Sequence, residues 1–245
     1  MARIDDLLRT ALKTLPPKPS DSASQSDKKR YSEQVSEKIA QAVADELRQR
    51  GLKGTRPAPP GEMDKSGAER RMAGGIGAKK VDVTWATEES GLLLGISIKT
   101  INFQDRKTGN FQKNLTNRRG DMLMEAVTLH RRFPYAVLGG LFLFDKAAAN
   151  DGTDRRRSTF LNAHSRMQLF TGRDDPADRD EQYEKMYLLL LDVSSSGGTL
   201  KAFEVGEPKI GVAMERIIDG LVALVAKRNP DFYEFVDGNL VVVTN

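Results

Sequence analysis

Apolar residues recur at helical spacing from the first residues of the chain. Ile4, Leu7, Leu8, Ala11, Leu12 and Leu15 share one face of the segment Ala2 to Leu15, which predicts a short amphipathic helix. Pro16, Pro17 and Pro19 end it, and Ser20 to Asp27 is polar throughout, a composition that buries too little to fold alone. The pattern divides the chain into a helical arm over 1–15, a linker over 16–30 and one domain over 31–245. The arm must dock at a distance, on this domain or on a second subunit. Val35, Ile39, Ala42, Val43 and Leu47 form a second stripe and predict a long helix from about Tyr31 to Arg50, with Ser32 as N-cap and Gly51 as stop. After a Pro/Gly loop over Thr55 to Gly61, Asp64 to Met72 predicts one or two helical turns, closed by Gly74-Gly75-Ile76-Gly77.

Then the period falls from 3.6 to 2. Lys80 to Thr87 alternates and Leu92 to Phe103 is rich in aliphatic and β-branched residues, so both are predicted strands. A helix follows over Asn117 to Phe133, then Tyr135 to Phe144, apolar enough for a strand buried on both faces. Arg155 to Phe170 is a predicted helix, Lys185 to Val193 and Leu200 to Val205 are predicted strands, and Ile210 to Arg228 is an amphipathic helix closed by Asn229-Pro230. Asp237-Gly238 between two apolar runs predicts a hairpin. This order implies a mixed central β-sheet flanked by helices, class α/β or α+β.

Composition narrows the chemistry. The 245 residues contain no cysteine and only two histidines, His130 and His164, which excludes disulfides, thiol nucleophiles, cysteine-bound zinc and His-rich metal sites. No apolar run is long enough to span a membrane, and Arg3, Asp5, Asp6 and Arg9 leave the N-terminus without a signal-peptide core, so a soluble cytoplasmic protein is expected. The formal net charge is only +4, but Lys and Arg come in clusters, including Lys28–Arg30, Arg70–Arg71, Lys79–Lys80, Arg118–Arg119 and Arg155–Arg157. Clustering of this kind is either ordinary solvated helix surface or the footprint of phosphate-backbone binding.

The glycine run before Lys79-Lys80 is not a phosphate loop, because it lacks the Walker spacing and leads into a strand. The informative residues follow it. In Lys80 to Trp85, Val81, Val83 and Trp85 share one face of a strand and Asp82 and Thr84 the other. In Leu94 to Thr100, Leu94, Ile96 and Ile98 face the core while Ser97 and Lys99 face away. A two-residue turn at Ser90-Gly91 would set Asp82 directly opposite Lys99. The pair is either a cross-strand ion pair, worth about 0.2–1 kcal/mol, or a site in which a carboxylate holds a hard divalent cation and an ammonium activates water and stabilises phosphoryl charge.

These residues resemble the active-site hairpin of PD-(D/E)xK nucleases, the superfamily of many type II restriction endonucleases. On this resemblance Asp82 matches the metal-binding aspartate and Lys99 the catalytic lysine, while Ser97 stands where the family carries a second acidic residue and could assist through its hydroxyl. Members with a replaced carboxylate recruit another; Glu69 is the preferred substitute, with Glu33, Glu37 or Glu46 as alternatives. The likeness spans roughly Tyr31 to Phe144. It implies a restriction-endonuclease-like core and a Mg²⁺-dependent DNA endonuclease (Mn²⁺ substituting), a restriction enzyme or phage-defence nuclease. The implied partners are double-stranded DNA, a second copy in a homodimer with the N-terminal helix as its arm, or a larger defence complex. A non-catalytic DNA-binding or assembly subunit on the same fold is the rival reading. Lys79, Lys80, Asn114, Asn117, Arg118 and Arg119 are candidate DNA contacts near the site. Arg155, Arg156 and Arg157, with Asn162, His164, Arg166 and Gln168, are candidates for groove contacts from one helix. Asp121 and Glu125 are expected to make intrahelical pairs, and His130 and Trp85 to be structural.

Overall fold

A computed structural model describes residues 2–62, 70–73, 75–193 and 198–244. The chain opens with helix α1 (Arg3–Lys13) and helix α2 (Gln25–Gln49). A separate two-stranded ribbon, β1 (Arg70–Ala73) and β2 (Ala78–Val81), comes next. The main sheet begins with β3 (Val83–Thr87) and β4 (Gly91–Ile101), continues after helix α3 (Leu115–His130) with β5 (Val137–Asp145), and after α4 (Thr159–Met167) with β6 (Lys185–Asp192), β7 (Thr199–Glu204) and β8 (Gly211–Val212). Helix α5 (Met214–Arg228) and a hairpin of β9 (Tyr233–Val236) and β10 (Asn239–Val242) close it. The six strands lie in the order β3-β4-β5-β6-β7-β8, with β4, β5 and β6 parallel and the outer pairs antiparallel. The expected mixed sheet flanked by helices is therefore present.

Alternation along the central strands sorts the core into two layers. Val137, Leu141 and Leu143 of β5, with Leu94, Ile96 and Ile98 of β4, pack against α1, α2 and α5. Leu138, Phe142 and Phe144, with Leu92 and Ile101, pack against α3 and α4. Both faces of the sheet are covered, which is why the central strands read as continuous apolar runs.

Helix α1 folds back onto its own domain. Ile4, Leu8 and Leu12 are buried in the first core layer, and Arg3 forms a two-pronged bond to the buried Glu46 of α2 at 2.8 and 3.0 Å. The face that suggested a dimer arm is thus used within the chain. The linker is also shorter than its composition implies: Ser24, not Ser32, caps α2 by accepting the Asp27 N–H at 3.1 Å, and Lys28 and Tyr31 extend the buried stripe by two turns.

Three further expectations change. Arg70 to Met72 belongs to strand β1 rather than to a helix, while residues 64–69 lie outside the described residues. Helix α4 begins at Thr159, because Ser158 caps it and Thr153 and Arg156 close a turn around Arg155 with mutual backbone bonds of 2.8 and 3.0 Å. The β3–β4 hairpin closes over three residues, Thr87 pairing with Gly91. Gly91 takes a positive φ of 68°, which glycine adopts without penalty, and a Cβ there would strike the Phe133 ring at 2.7 Å. That loop and a bulge between Trp85 and Ala86 shift the register so that Val83 faces Ile96. Asp82 therefore stands level with Ser97, not Lys99.

Candidate active site

Asp82 occupies a bend between β2 and β3. The bend also reverses the alternation: Val81 packs in the second core layer while Val83 and Trp85 pack in the first. Strand β4 runs on for five residues past Ile96, its last residue paired with β3, and Asp82 fills part of the open edge by accepting the Ile98 N–H at 2.7 Å. Lys99 lies one residue further along. Its Nζ stands 3.7 Å from Asp82 Oδ2, so the expected pair forms, but diagonally.

A third charged group completes the cluster. Glu125 of α3, buried, has its Oε2 3.4 Å from Lys99 Nζ. It is not paired along its helix as expected; Asp121, by contrast, lies exposed 3.8 Å from Arg118. The signal for Glu125 was in the sequence, since Met122, Ala126 and Leu129 put it on the apolar face of α3. Glycine makes the approach of that helix to the sheet possible. Gly140 of β5 sits beside Ser97 in the ladder, and a Cβ on it would come within 2.8 Å of Met122 Cε.

Charges in this cluster balance each other. Burial pushes the Glu125 carboxyl up, Lys99 opposes the shift, Asp82 adds to it, and the net effect is upward. Burial alone would depress the Lys99 ammonium, but the Glu125 and Asp82 carboxylates outweigh it and hold its pKa above the usual lysine value. Both carboxylates therefore favour the charged form of Lys99. Ser97 is fully buried beside Glu125 and the equally buried Tyr183, close enough to favour the anionic form of each. Among the described residues its Oγ nevertheless has no hydrogen-bond partner of good geometry, and the Tyr183 hydroxyl donates instead to Met122 O at 3.1 Å.

The cluster opens into a cleft of about 800 Å³ between α2, the C-terminal end of β4 and the loop before α3. Eight of its lining side chains are cationic and four are carboxylates, Glu33, Glu37, Asp82 and Asp105. Of the candidate DNA contacts, Lys80, Asn114 and Arg118 line this cleft; Lys79, Asn117 and Arg119 do not. Arg118 is near enough to Lys99 to lower its proton affinity, whereas Arg119 lies over the Phe170 ring. Arg155, Arg156 and Arg157 sit in the turn before α4, away from the cleft lining. His164 points into the core, where Nδ1 accepts the Gly206 N–H at 3.1 Å, so it cannot read a groove. Glu69 lies outside the described residues. Glu46 is committed to Arg3 and Arg50.

His130 and Trp85 are structural, as expected. His130 is buried against Asp180 O and Glu184, and Trp85 donates to Lys53 O at 2.9 Å and packs edge-on against Tyr233. Comparison with protein-family models, curated proteins and solved structures returns no match. No helix among the described residues is long and apolar enough to cross a membrane.

Proposed function

We propose that the chain is a Mg²⁺-dependent endonuclease that hydrolyses phosphodiester bonds in double-stranded DNA, on a restriction-endonuclease-like core, serving restriction or phage defence. The observation that carries this reading is the meeting of Asp82, Lys99 and Glu125 at the end of a cationic cleft. Ser97 replaces one acidic residue of the nuclease motif, and Glu125 reaches the same place from α3, so it supplies the carboxylate sought in Glu69.

No group of three or more acidic or histidine side chains suited to a metal occurs among the described residues. Two carboxylates still fit Mg²⁺, which keeps several waters and commonly takes one or two protein carboxylates together with substrate phosphate. Asp82 and Glu125 would hold the ion, which when bound supplies Lewis-acid charge and lowers the pKa of water. Asp82 Oδ2 accepts the Ile98 N–H, which fixes the orientation of the carboxylate. Lys99, kept protonated by its neighbours, donates to a non-bridging phosphate oxygen and stabilises the extra negative charge of the transition state. Glu125, whose proton affinity burial raises, would have to be ionised to hold a cation. Metal affinity should therefore rise with pH.

Isothermal titration with Mn²⁺ tests this directly. Wild type is expected to bind with proton release, and Asp82→Asn and Glu125→Gln to lose binding while Lys99→Met retains it. Absence of any binding in wild type would favour the non-catalytic reading.

A further inference from the structure

Among the described residues three cations of the cleft lining form no ion pair, Lys28, Arg106 and the exposed Lys107, and the first two are held by carbonyls at its far end. Strand β4 ends at Ile101, two residues past Lys99, and the chain runs on to Phe103. At Phe103 it meets the first turns of α2: Asn102 donates to Ser32 Oγ at 3.2 Å, Tyr31 packs edge-on against the Phe103 ring, and the Lys28 ammonium lies 5.6 Å from that ring's centre. Lys28 is 8% exposed, yet its bonded partner is a carbonyl, Asp21 O. The neighbouring lysines are neutralised, Lys18 by Asp145 at 2.6 Å and Lys29 by Glu33 at 3.7 Å. Arg106, lining the same end, likewise donates to a carbonyl, Ser22 O at 2.9 Å. The nearby Asp21 carboxylate accepts the Gln104 N–H and forms no ion pair with either cation.

A buried ammonium without a counter-charge is expensive. Here two cations are held at the mouth of one cleft by successive carbonyls of the segment joining α1 to α2. We infer that this end of the cleft is an anion subsite, in which Lys28 and Arg106 take a backbone phosphate of the bound DNA strand some way along from the scissile one. The assignment of the anion to DNA rests on the function proposed above; the anion subsite itself does not.

Inorganic phosphate and a labelled duplex oligonucleotide serve as probes, with wild type, Lys28→Met, Arg106→Gln and the exposed control Lys13→Met. Phosphate is expected to raise the melting temperature of wild type and Lys13→Met but not of Lys28→Met. Without divalent metal, Lys28→Met should bind the duplex several-fold more weakly, its dependence of log K on log[salt] shallower by about 0.9, the loss of one phosphate contact. In phosphate-free buffer the same variant should melt no lower than wild type, because methionine removes an uncompensated charge; a purely structural lysine would show the opposite. If Lys28→Met does not fold, Arg106→Gln carries the same readings. Phosphate stabilisation and duplex affinity equal to wild type in either folded variant would overturn the subsite. Lys28-dependent phosphate stabilisation with no duplex binding by wild type would support the subsite and overturn the nuclease assignment.

Discussion

Glu125 and His164 are buried titratable groups whose environments oppose their charged forms, for different ends. Burial raises the Glu125 carboxyl, so the folded state favours its proton, and stability declines as pH rises from the unfolded carboxylate range through the folded value. Glu125→Gln carries no such penalty. Thermal melts should show the variant at least as stable as wild type at pH 8, the difference shrinking toward pH 4; a variant less stable at pH 8 would mean that the carboxylate stabilises the fold. Burial lowers His164 to about 4, and its Nδ1 is an acceptor, so the neutral ring is the stable one. Its contribution is complete above about pH 6.5 and disappears as pH falls through about 4. His164→Gln should flatten that part of the stability profile, and an unchanged slope would assign it to carboxylates instead. At this scale the pairing of Asp82 with Lys99 was legible because the two residues flank one hairpin. Glu125 was harder to see: an acidic residue on an apolar helix face announces a partner but not which one, and Lys99 lies 26 residues away.

Secondary structure was legible where one local force dominates. The C-terminal hairpin follows from Asp237-Gly238, whose φ values of 47° and 80° are those a type I′ turn requires. Apolar periodicity placed α2, α3, α5 and the central strands within a few residues. Errors arose where a cap or turn competes with periodicity: Ser24 starts α2 early, Ser158 starts α4 late, and the three-residue β3–β4 loop ending at Gly91, together with the bulge after Trp85, moves Asp82 level with Ser97. Docking of α1 could not be read at all, since its amphipathic face fits its own domain as well as a second copy. With Leu8 only 3% exposed, Leu8→Ala should cost about 2–5 kcal/mol by urea denaturation. A cost of a few tenths would mean that α1 does not pack on the domain in solution.

The cleft lining carries eight cations and four carboxylates, an excess of four that equals the whole chain's formal net charge of +4, so where the charge lies says more about partners than its total. If the cleft carries DNA, log K for a duplex should fall linearly with log[salt], by about 0.9 for each phosphate neutralised, and a flat response would exclude a polyanion in the cleft. The central claim is that Asp82, Lys99 and Glu125 act together as a metal-dependent phosphodiesterase site, and Mg²⁺-dependent cleavage of supercoiled plasmid tests it most directly. Wild type should cut, chelation with EDTA should stop it, and Asp82→Asn, Lys99→Met and Glu125→Gln should each lose at least about 100-fold in rate, the scale expected when a charge-stabilising group is removed. Folded variants that cut as fast as wild type, or a wild type that cuts nothing with any divalent cation, would contradict it.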